Sequence, residues 1–231
     1  MIDSLQVSVV IPVFNEELVL HEFYPRLKKE AENWGKSYEL LFVDDGSTDN
    51  SFELICKWKK IDSNIRVVKF TRNFGQQAAV LAGFRESRGN IVVQIDSDLQ
   101  NPPEEIKRLL GAFTDEVDLV VTIPRKRRDS VLRILGSKVL HSLAQVLFGN
   151  RFKLNLSSFR AMRRSVIEKI DQCQDRSRYM AVLMSWMAVP TVHVEVDHHL
   201  RKVGQTKYGV LPLLRLTWDL ITGYSNFPLR L

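Results

Sequence analysis

Short apolar runs rich in valine and isoleucine recur along the first half of the chain, and they alternate with longer segments of helical periodicity. The apolar runs predict buried strands at residues 7–13, 39–43, 65–70, 91–95 and 119–123. The segments between them predict helices at residues 16–34, 51–61, 76–88 and 103–113. This alternation is typical of an α/β fold, in which helices cover both faces of a mostly parallel sheet.

The pattern changes after Pro124, where a basic stretch at residues 125–128 begins. The rest of the chain predicts helices at 130–148, 163–173 and 180–187, a loop at 150–158 and a strand at 192–196. Residues 210–224 place Leu211, Leu214, Trp218 and Ile221 on one helical face, which predicts an amphipathic helix. Because the sequence contains no repeat and no Gly/Ser linker, we predict one domain at residues 1–208 and an amphipathic appendage at 209–231.

Composition narrows the class of protein. The 231 residues are 45% hydrophobic and 26% charged, which excludes a disordered or fibrous chain. Two distant cysteines, Cys56 and Cys173, indicate neither a disulfide framework nor a thiolate metal site. The sequence has no signal-peptide pattern and no apolar run of roughly 18 residues, so we expect the chain as given to be neither secreted nor membrane-spanning. The net charge of +6 favours an anionic partner without choosing among nucleic acid, lipid headgroups and phosphorylated metabolites.

Acidic and polar residues follow three of the predicted strands, at residues 12–16, 44–49 and 96–98. Ligands of open α/β sheets bind at this carboxyl edge, where several carboxylates repel one another unless a cation lies among them. Asp96 and Asp98 are two residues apart, so both can project to one side and supply oxygen ligands to Mg²⁺ or Mn²⁺. Taken alone, the pair favours a different interpretation, in which Asp96 closes the strand and Asp98 caps the following turn, because short Asp motifs are common in turns.

Several motifs are missing from the sequence. It has no G-x-G-x-x-G after the first strand and no G-x-x-x-x-G-K-[ST], which disfavours a dehydrogenase-type dinucleotide fold and a P-loop nucleotidase. Aromatic and basic residues do not interleave as they do on nucleic-acid stacking surfaces, so we expect no nucleic-acid partner. His198 and His199 are adjacent on a predicted extended segment and have no third ligand, and we interpret them as structural.

Four motifs in order, at residues 9–16, 42–47, 72–75 and 96–104, resemble those of family-2 glycosyltransferases with the GT-A fold. Residues 158–160, 201–208 and 228–231 are similar to the polyprenyl-phosphate subgroup, which includes dolichol-phosphate mannose synthase and the bacterial undecaprenyl-phosphate sugar transferases. The resemblance covers essentially the whole chain. It implies an inverting transferase that moves a sugar from a nucleotide-diphosphate donor, expected to be a UDP-sugar, to polyprenyl phosphate.

The resemblance also implies roles for single residues. It places the base and ribose of the donor against Pro12, Phe14, Glu16 and Asp44, with Ser97 in the donor site. Asp96 and Asp98 are expected to hold the Mg²⁺ or Mn²⁺ that neutralises the donor pyrophosphate. Arg201 and Lys207 match a basic pair that meets the pyrophosphate or the acceptor phosphate. The residues expected to act in catalysis are therefore Asp96, Asp98, Arg160, Arg201 and Lys207.

The expected acceptor site depends on arginines, for which Arg127, Arg133 and Arg160 are the candidates. Asn155 lies near the position where relatives carry an aspartate, and an amide cannot act as a base. A lipid phosphate is already anionic and needs little deprotonation, which favours it over a hydroxyl acceptor. Two alternatives stay open: a soluble family-2 enzyme that acts on a glycan or protein hydroxyl, and a catalytically silent nucleotide-sugar-binding scaffold.

The expected location is the cytoplasmic face of the inner or plasma membrane. The helix at 210–224 would lie in the membrane interface, and the basic segments would face anionic headgroups. Related bacterial enzymes continue past a Pro-Leu-Arg-Leu like residues 228–231 into membrane-spanning helices. We therefore expect either a short peripheral protein or one anchored through a region that this chain does not contain, with the oligomeric state open and a homo-oligomer included.

Overall fold

A computed structural model of the chain describes residues 5–125, 157–173, 180, 183, 184, 187 and 189–199. Residues 5–125, 157–172 and 190–199 belong to one compact unit, and the other described residues belong to a second. The predicted helices at 130–148 and 210–224, the segment 209–231 and half of the predicted helix at 180–187 lie outside the described residues.

The first unit contains seven strands and five α-helices among its described residues. The strands are β1 Val7–Val13, β2 Tyr38–Asp44, β3 Ile65–Lys69, β4 Ile91–Gln94, β5 Leu119–Pro124, β6 Arg160–Arg163 and β7 Thr191–Val196. The helices are α1 Glu17–Glu32, α2 Ser51–Lys59, α3 Gln76–Glu86, α4 Ile106–Gly111 and α5 Arg164–Gln172, and a 3₁₀ turn at Pro103–Glu105 leads into α4. None of these helices is both long enough and apolar enough to cross a bilayer.

The strands form a single sheet in the order β3-β2-β1-β4-β6-β5-β7. All neighbouring strands are parallel except at β6, which runs antiparallel to both β4 and β5. The mostly parallel α/β sheet predicted from the sequence is therefore confirmed.

Strand β6 was missed, because we predicted a loop through residue 158 and a helix from 163. Its four residues, Arg-Ala-Met-Arg, carry a charge at each end and show no apolar run. Arg160, Ala161 and Met162 are nevertheless buried, since β6 lies between β4 and β5. A strand this short is defined by its two neighbours in the sheet, which the local pattern does not reveal.

The core lies between the sheet and its helices. All seven residues of β1 are buried, as expected for a central strand that is covered on both faces. Helix α1 contributes Leu20, Phe23 and Leu27, which are spaced three and four residues apart and are fully buried in the same cluster as β1. This packing fixes the strand ends that carry the polar motifs.

The order of the strands creates a crevice beside β1. The chain adds β2 and then β3 on one side of β1, and then returns to place β4 on the other side. Ligands of open α/β sheets bind at such a switch point, outside the carboxyl ends of the strands. The segments that follow β1, β2 and β4 all meet at this edge.

Candidate active site

The crevice begins where the pairing of β1 with β4 stops, at Val10 and Gln94. Ile95 still donates its N–H to the carbonyl of Val10 (3.2 Å). Every second residue of β1, counted from Val10, therefore directs its backbone N–H and C=O towards β4. Pro12 is the next such residue, and a proline has no N–H to donate. The Ser97 hydroxyl instead contacts the Pro12 carbonyl at 3.5 Å. The two strands can therefore separate at this point.

The turn after β1 is held by the loop that follows β2. Asn15 has a left-handed backbone (φ 55°) and donates its N–H to Ser47 Oγ (3.0 Å). Its side-chain oxygen accepts a hydrogen bond from the N–H of Thr48 (2.8 Å). The N–H of Glu16 is donated to Ser51 Oγ (3.0 Å). These bonds fix the two predicted donor-binding loops against each other.

Asp44, the last residue of β2, and Asp45, which follows it, have different roles. Asp45 is buried and accepts hydrogen bonds from the N–H groups of Phe74 (2.8 Å) and Gly75 (2.9 Å), so it holds the loop before α3. Burial raises the pKa of Asp45, and the charge of Asp44 adds to the rise, while the two backbone hydrogen bonds oppose it. Asp44 is fully buried, and its Oδ1 has no hydrogen-bond partner among the described residues.

Gly46 lets these two loops pack closely. Its φ is +71°, and an added Cβ would lie 2.4 Å from the carbonyl carbon of Arg72 and 2.8 Å from the nitrogen of Asn73. Only glycine fits both the left-handed backbone and this contact. The Asp-Asp-Gly motif therefore combines a buried oxygen of Asp44 that no described residue satisfies with two residues that contact the 72–75 loop.

Asp96 lies directly beyond β4 and is held through both of its carboxylate oxygens. Gln76 Nε2 donates to Oδ1 (2.6 Å), and Ser158 Oγ donates to Oδ2 (2.6 Å). The surrounding protein raises the pKa of Asp96, and the nearby Asp98 carboxylate adds to the rise, whereas the two hydrogen bonds and the charge of Arg160 oppose it. The two hydrogen bonds therefore hold the Asp96 carboxylate in one orientation.

Arg160, at the start of β6, is a buried charged residue that interacts electrostatically with Asp96. It pairs directly with Gln94 across the antiparallel β4–β6 ladder and is 5% exposed. Burial lowers the pKa of Arg160 to about 10, and the attraction of Asp96 partly offsets the fall. The structure thus places Arg160 inside the protein beside Asp96.

Asp98 caps the turn that follows β4. Its Oδ1 accepts a hydrogen bond from the N–H of Gln100 (3.1 Å), and Leu99 between them has a left-handed backbone (φ 60°). The carbonyl of Gln100 in turn accepts a hydrogen bond from the N–H of His199 (2.9 Å). The turn-capping interpretation of Asp98 is correct, and this hydrogen bond uses only one of its two carboxylate oxygens.

Eight of the residues predicted to form the site are among the described residues. They lie near the carboxyl edge formed by β1, β2 and β4, where β6 begins: Pro12, Phe14, Glu16, Asp44, Asp96, Ser97, Asp98 and Arg160. Phe14 and Glu16 are half-buried, whereas Pro12 and Ser97 are buried. Five residues discussed above lie outside the described residues, so their roles stay predictions: Arg127, Arg133, Asn155, Arg201 and Lys207.

Sequence reasoning missed three residues that shape the site. Gln76 and Ser158 contact Asp96, although neither carried an expected role, and Asp45 was taken only as part of an acidic turn. The doubled aspartate was a usable signal for Asp45, because a simple turn does not need two acids. No local signal marks Gln76, since its contact depends on the packing of α3 against the sheet.

The family model "Glycosyl transferase family 2" matches residues 8–171, which include every described residue that lines this edge. The chain belongs to glycosyltransferase family 2. It is a glycosyltransferase, and the GT-A fold expected from its motifs is confirmed.

Two similar proteins are undecaprenyl-phosphate 4-deoxy-4-formamido-L-arabinose transferases. The protein from Shewanella sediminis is 39% identical over 226 residues, which cover 97% of this chain and 68% of that protein. The protein from Salmonella paratyphi B is 39% identical over 227 residues, which cover 98% of this chain and 69% of that protein. The resemblance to the polyprenyl-phosphate subgroup is thereby confirmed.

Solved structures show the same fold at lower identity. Glucosyl-3-phosphoglycerate synthase from Mycobacterium tuberculosis, in complex with Mn²⁺, UDP and glucosyl-3-phosphoglycerate, has a TM-score of 0.67 and 20% identity, covering 94% of this chain and 78% of that one. A mannosyltransferase from Pyrobaculum calidifontis, in complex with GDP-mannose and Mn²⁺, has a TM-score of 0.63 and 18% identity. The match covers 91% of this chain and 60% of that one.

Proposed function

We propose that this glycosyltransferase moves a sugar from a UDP-sugar to a polyprenyl phosphate at the cytoplasmic face of the membrane, with inversion and with Mg²⁺ or Mn²⁺ at the donor pyrophosphate. The observation that carries the proposal is that Asp44 ends β2 and that Asp96 and Asp98 follow β4, so that all three lie at the carboxyl edge of the strands on either side of β1. The acceptor class is supported by the undecaprenyl-phosphate transferases, which are 39% identical over nearly the whole chain.

The donor nucleoside is proposed to bind at Asp44. A buried carboxylate oxygen without a donor costs roughly 1–3 kcal/mol, and a ribose hydroxyl or a base imide N–H would supply the missing hydrogen bond. Phe14 and Glu16, on the turn locked to the loop after Asp44, are proposed to line the same subsite with Pro12 and Ser97.

The residues at the end of β4 fit a hard divalent cation. Mg²⁺ is commonly held by one or two carboxylates together with substrate phosphates and water, and Asp96 and Asp98 offer such a pair. No group of three or more His, Cys, Asp and Glu side chains that could hold a metal forms among the described residues. When bound, the ion would stabilise the negative charge that develops on the departing nucleoside diphosphate.

The acceptor phosphate is proposed to be bound by Arg127, Arg133 and Arg160, and it needs no general base because it is already anionic. Arg201 and Lys207 are proposed to close over the pyrophosphate. One described contact supports that placement, because the N–H of His199, two residues before Arg201, is bonded to Gln100 in the loop that carries Asp98.

The decisive experiment supplies the purified protein with Mn²⁺ or Mg²⁺, a panel of UDP- and GDP-sugars that includes UDP-4-deoxy-4-formamido-L-arabinose, and a short-chain polyprenyl phosphate. We expect a lipid-linked sugar, detected by mass spectrometry, with inverted anomeric configuration by NMR. A product formed only on a glycan or protein hydroxyl would support the soluble alternative. Donor binding without product on any acceptor would support the silent scaffold.

The metal assignment is tested by Asp98→Asn. We expect this variant to lose metal-dependent transfer by a factor of at least about 100 and to keep the wild-type melting temperature, because the amide removes a charged ligand while keeping the turn-capping oxygen. Asp115→Asn is the matched control: Asp115 is exposed in the loop that enters β5, at the opposite edge of the sheet. Full activity in Asp98→Asn would remove Asp98 from the metal site.

A further inference from the structure

Both carboxylate oxygens of Asp96 accept a side-chain hydrogen bond, and the two donors come from distant parts of the chain. Gln76 Nε2 lies 2.6 Å from Oδ1, and Ser158 Oγ lies 2.6 Å from Oδ2. Gln76 is the first residue of α3, whereas Ser158 lies two residues before β6. An aspartate held from both sides has one defined side-chain orientation, although its terminal torsion is otherwise broad.

The backbone conformation and the strand register place both hydrogen-bond donors beside Asp96. Gly75, with φ +96°, turns the chain so that α3 begins at Gln76, and its N–H is held by the Asp45 carboxylate (2.9 Å). On the other side, Gln94 pairs with Arg160 in an antiparallel register, so the residues two positions beyond, Asp96 and Ser158, face each other.

We propose that Gln76 and Ser158 are positioning residues that fix the Asp96 carboxylate in the orientation in which it holds the divalent ion. This inference rests on the proposed metal-dependent function. Each carboxylate oxygen has two lone pairs, so one can accept the hydrogen bond while the other stays available to a cation. Hydrogen-bond partners of metal-ligating carboxylates orient the ligand in this way.

A purely structural role does not account well for the Gln76 contact. The Gln76 side chain is exposed, and an exposed glutamine contributes little to the stability of the fold. Arg160 already offsets part of the Asp96 charge inside the protein, so the two neutral donors add direction rather than charge. Their effect should therefore appear in ligand geometry and affinity more than in stability.

The test compares two variants with two neighbours that receive the same substitution. Gln76→Leu and Ser158→Ala remove the donors, whereas Gln77→Leu and Ser157→Ala are the matched controls. Ser157 Oγ bonds with Thr122 Oγ1 (2.7 Å), and the Gln77 side-chain oxygen has no partner among the described residues. Ser158→Thr restores a hydroxyl and serves as the conservative rescue. The probe is Mn²⁺ itself, with its dissociation constant measured by electron paramagnetic resonance at saturating UDP.

We expect Gln76→Leu and Ser158→Ala each to weaken Mn²⁺ binding about tenfold, the range seen when such partners of a metal ligand are lost. The double variant should lose more than either single one, and both controls and Ser158→Thr should bind as the wild type does. Melting temperatures within about 2 °C of wild type for all variants would confirm that the fold is intact.

Two different failures can be told apart. A wild-type protein that binds UDP but no Mn²⁺ and no Mg²⁺ would contradict the proposed metal-dependent function. A wild-type protein that binds Mn²⁺, together with Gln76→Leu and Ser158→Ala variants of unchanged affinity, would overturn the positioning role alone. Equal weakening in the Gln77→Leu and Ser157→Ala controls would also overturn it, because the loss would then not depend on the contacts with Asp96.

Discussion

Gly46 and Gly35 allow backbone strain to be separated from steric exclusion in this protein. Both have left-handed backbones, with φ +71° and +63°. A Cβ on Gly35 would meet nothing within 4 Å, whereas a Cβ on Gly46 would lie 2.4 Å from the Arg72 carbonyl carbon. The same Gly→Ala substitution therefore adds only the left-handed penalty at one site and both penalties at the other.

The magnitudes follow from these two environments. An alanine in the left-handed region costs about 1–2 kcal/mol, which is the whole effect expected for Gly35→Ala. At Gly46 the backbone of Arg72 and Asn73 must also move, and forcing atoms into a well-packed region costs typically about 1–3 kcal/mol more. The expected loss for Gly46→Ala is therefore about 2–5 kcal/mol. For a chain of this size, each kcal/mol lowers the melting temperature by about 2–4 °C.

The assay is thermal unfolding of both variants beside the wild type, followed by UDP titration. We expect Gly46→Ala to melt well below Gly35→Ala and to bind UDP more weakly, because the displaced 72–75 loop is bonded to Asp45, next to Asp44. Gly35→Ala should bind UDP normally, since Gly35 lies between α1 and β2, at the opposite edge of the sheet. Equal destabilisation by the two substitutions would refute the close contact at Gly46.

Two further predictions concern other buried and turn contacts. Tyr24→Phe removes the hydrogen bond to Asp62 (2.9 Å) and should cost about 2 kcal/mol at pH 7. Burial acts to raise the pKa of Asp62, but hydrogen bonds from the Asn64 N–H, Tyr24 and Lys28 lower it overall. The stabilisation that the ionised Asp62 provides is therefore complete above its unfolded pKa of about 3.9 and is lost as the pH falls through its lower folded pKa. Chemical denaturation should accordingly show that the difference in unfolding free energy between Tyr24→Phe and the wild type shrinks in acid. A difference that stays constant with pH would contradict this. Asn15→Ala should cost about 1–2 kcal/mol by the same measurement, because it removes the acceptor for the Thr48 N–H in a left-handed backbone, while Asn15→Asp, which keeps the acceptor, should cost less.

The Asp-Asp-Gly motif illustrates how binding and architecture share neighbouring residues. Asp45 and Gly46 both serve the 72–75 loop, one through hydrogen bonds and the other through close approach. Asp44, one residue earlier, ends β2 with a buried oxygen that no described residue satisfies. Substitutions at all three positions should impair donor binding, but only those at Asp45 and Gly46 should act by displacing the loop.

The amino-acid sequence by itself determined the α/β class, six of the seven described strands and the edge where the polar motifs meet. It could do so because continuous apolar runs, helical periodicity and the residues that follow each strand are local properties of the chain. The ordered motifs also identified the family. These signals do not depend on how distant segments pack.

Only the tertiary structure decided which residues touch Asp96 and which of the two acids at the end of β2 holds the 72–75 loop. Strand β6 exists because β4 and β5 flank it, and its register with Gln94 brings Ser158 to Asp96. Gln76 reaches the same carboxylate from α3, 20 residues away in sequence. Such contacts arise from the packing of elements that are far apart in the chain, and for that reason no local pattern predicts them.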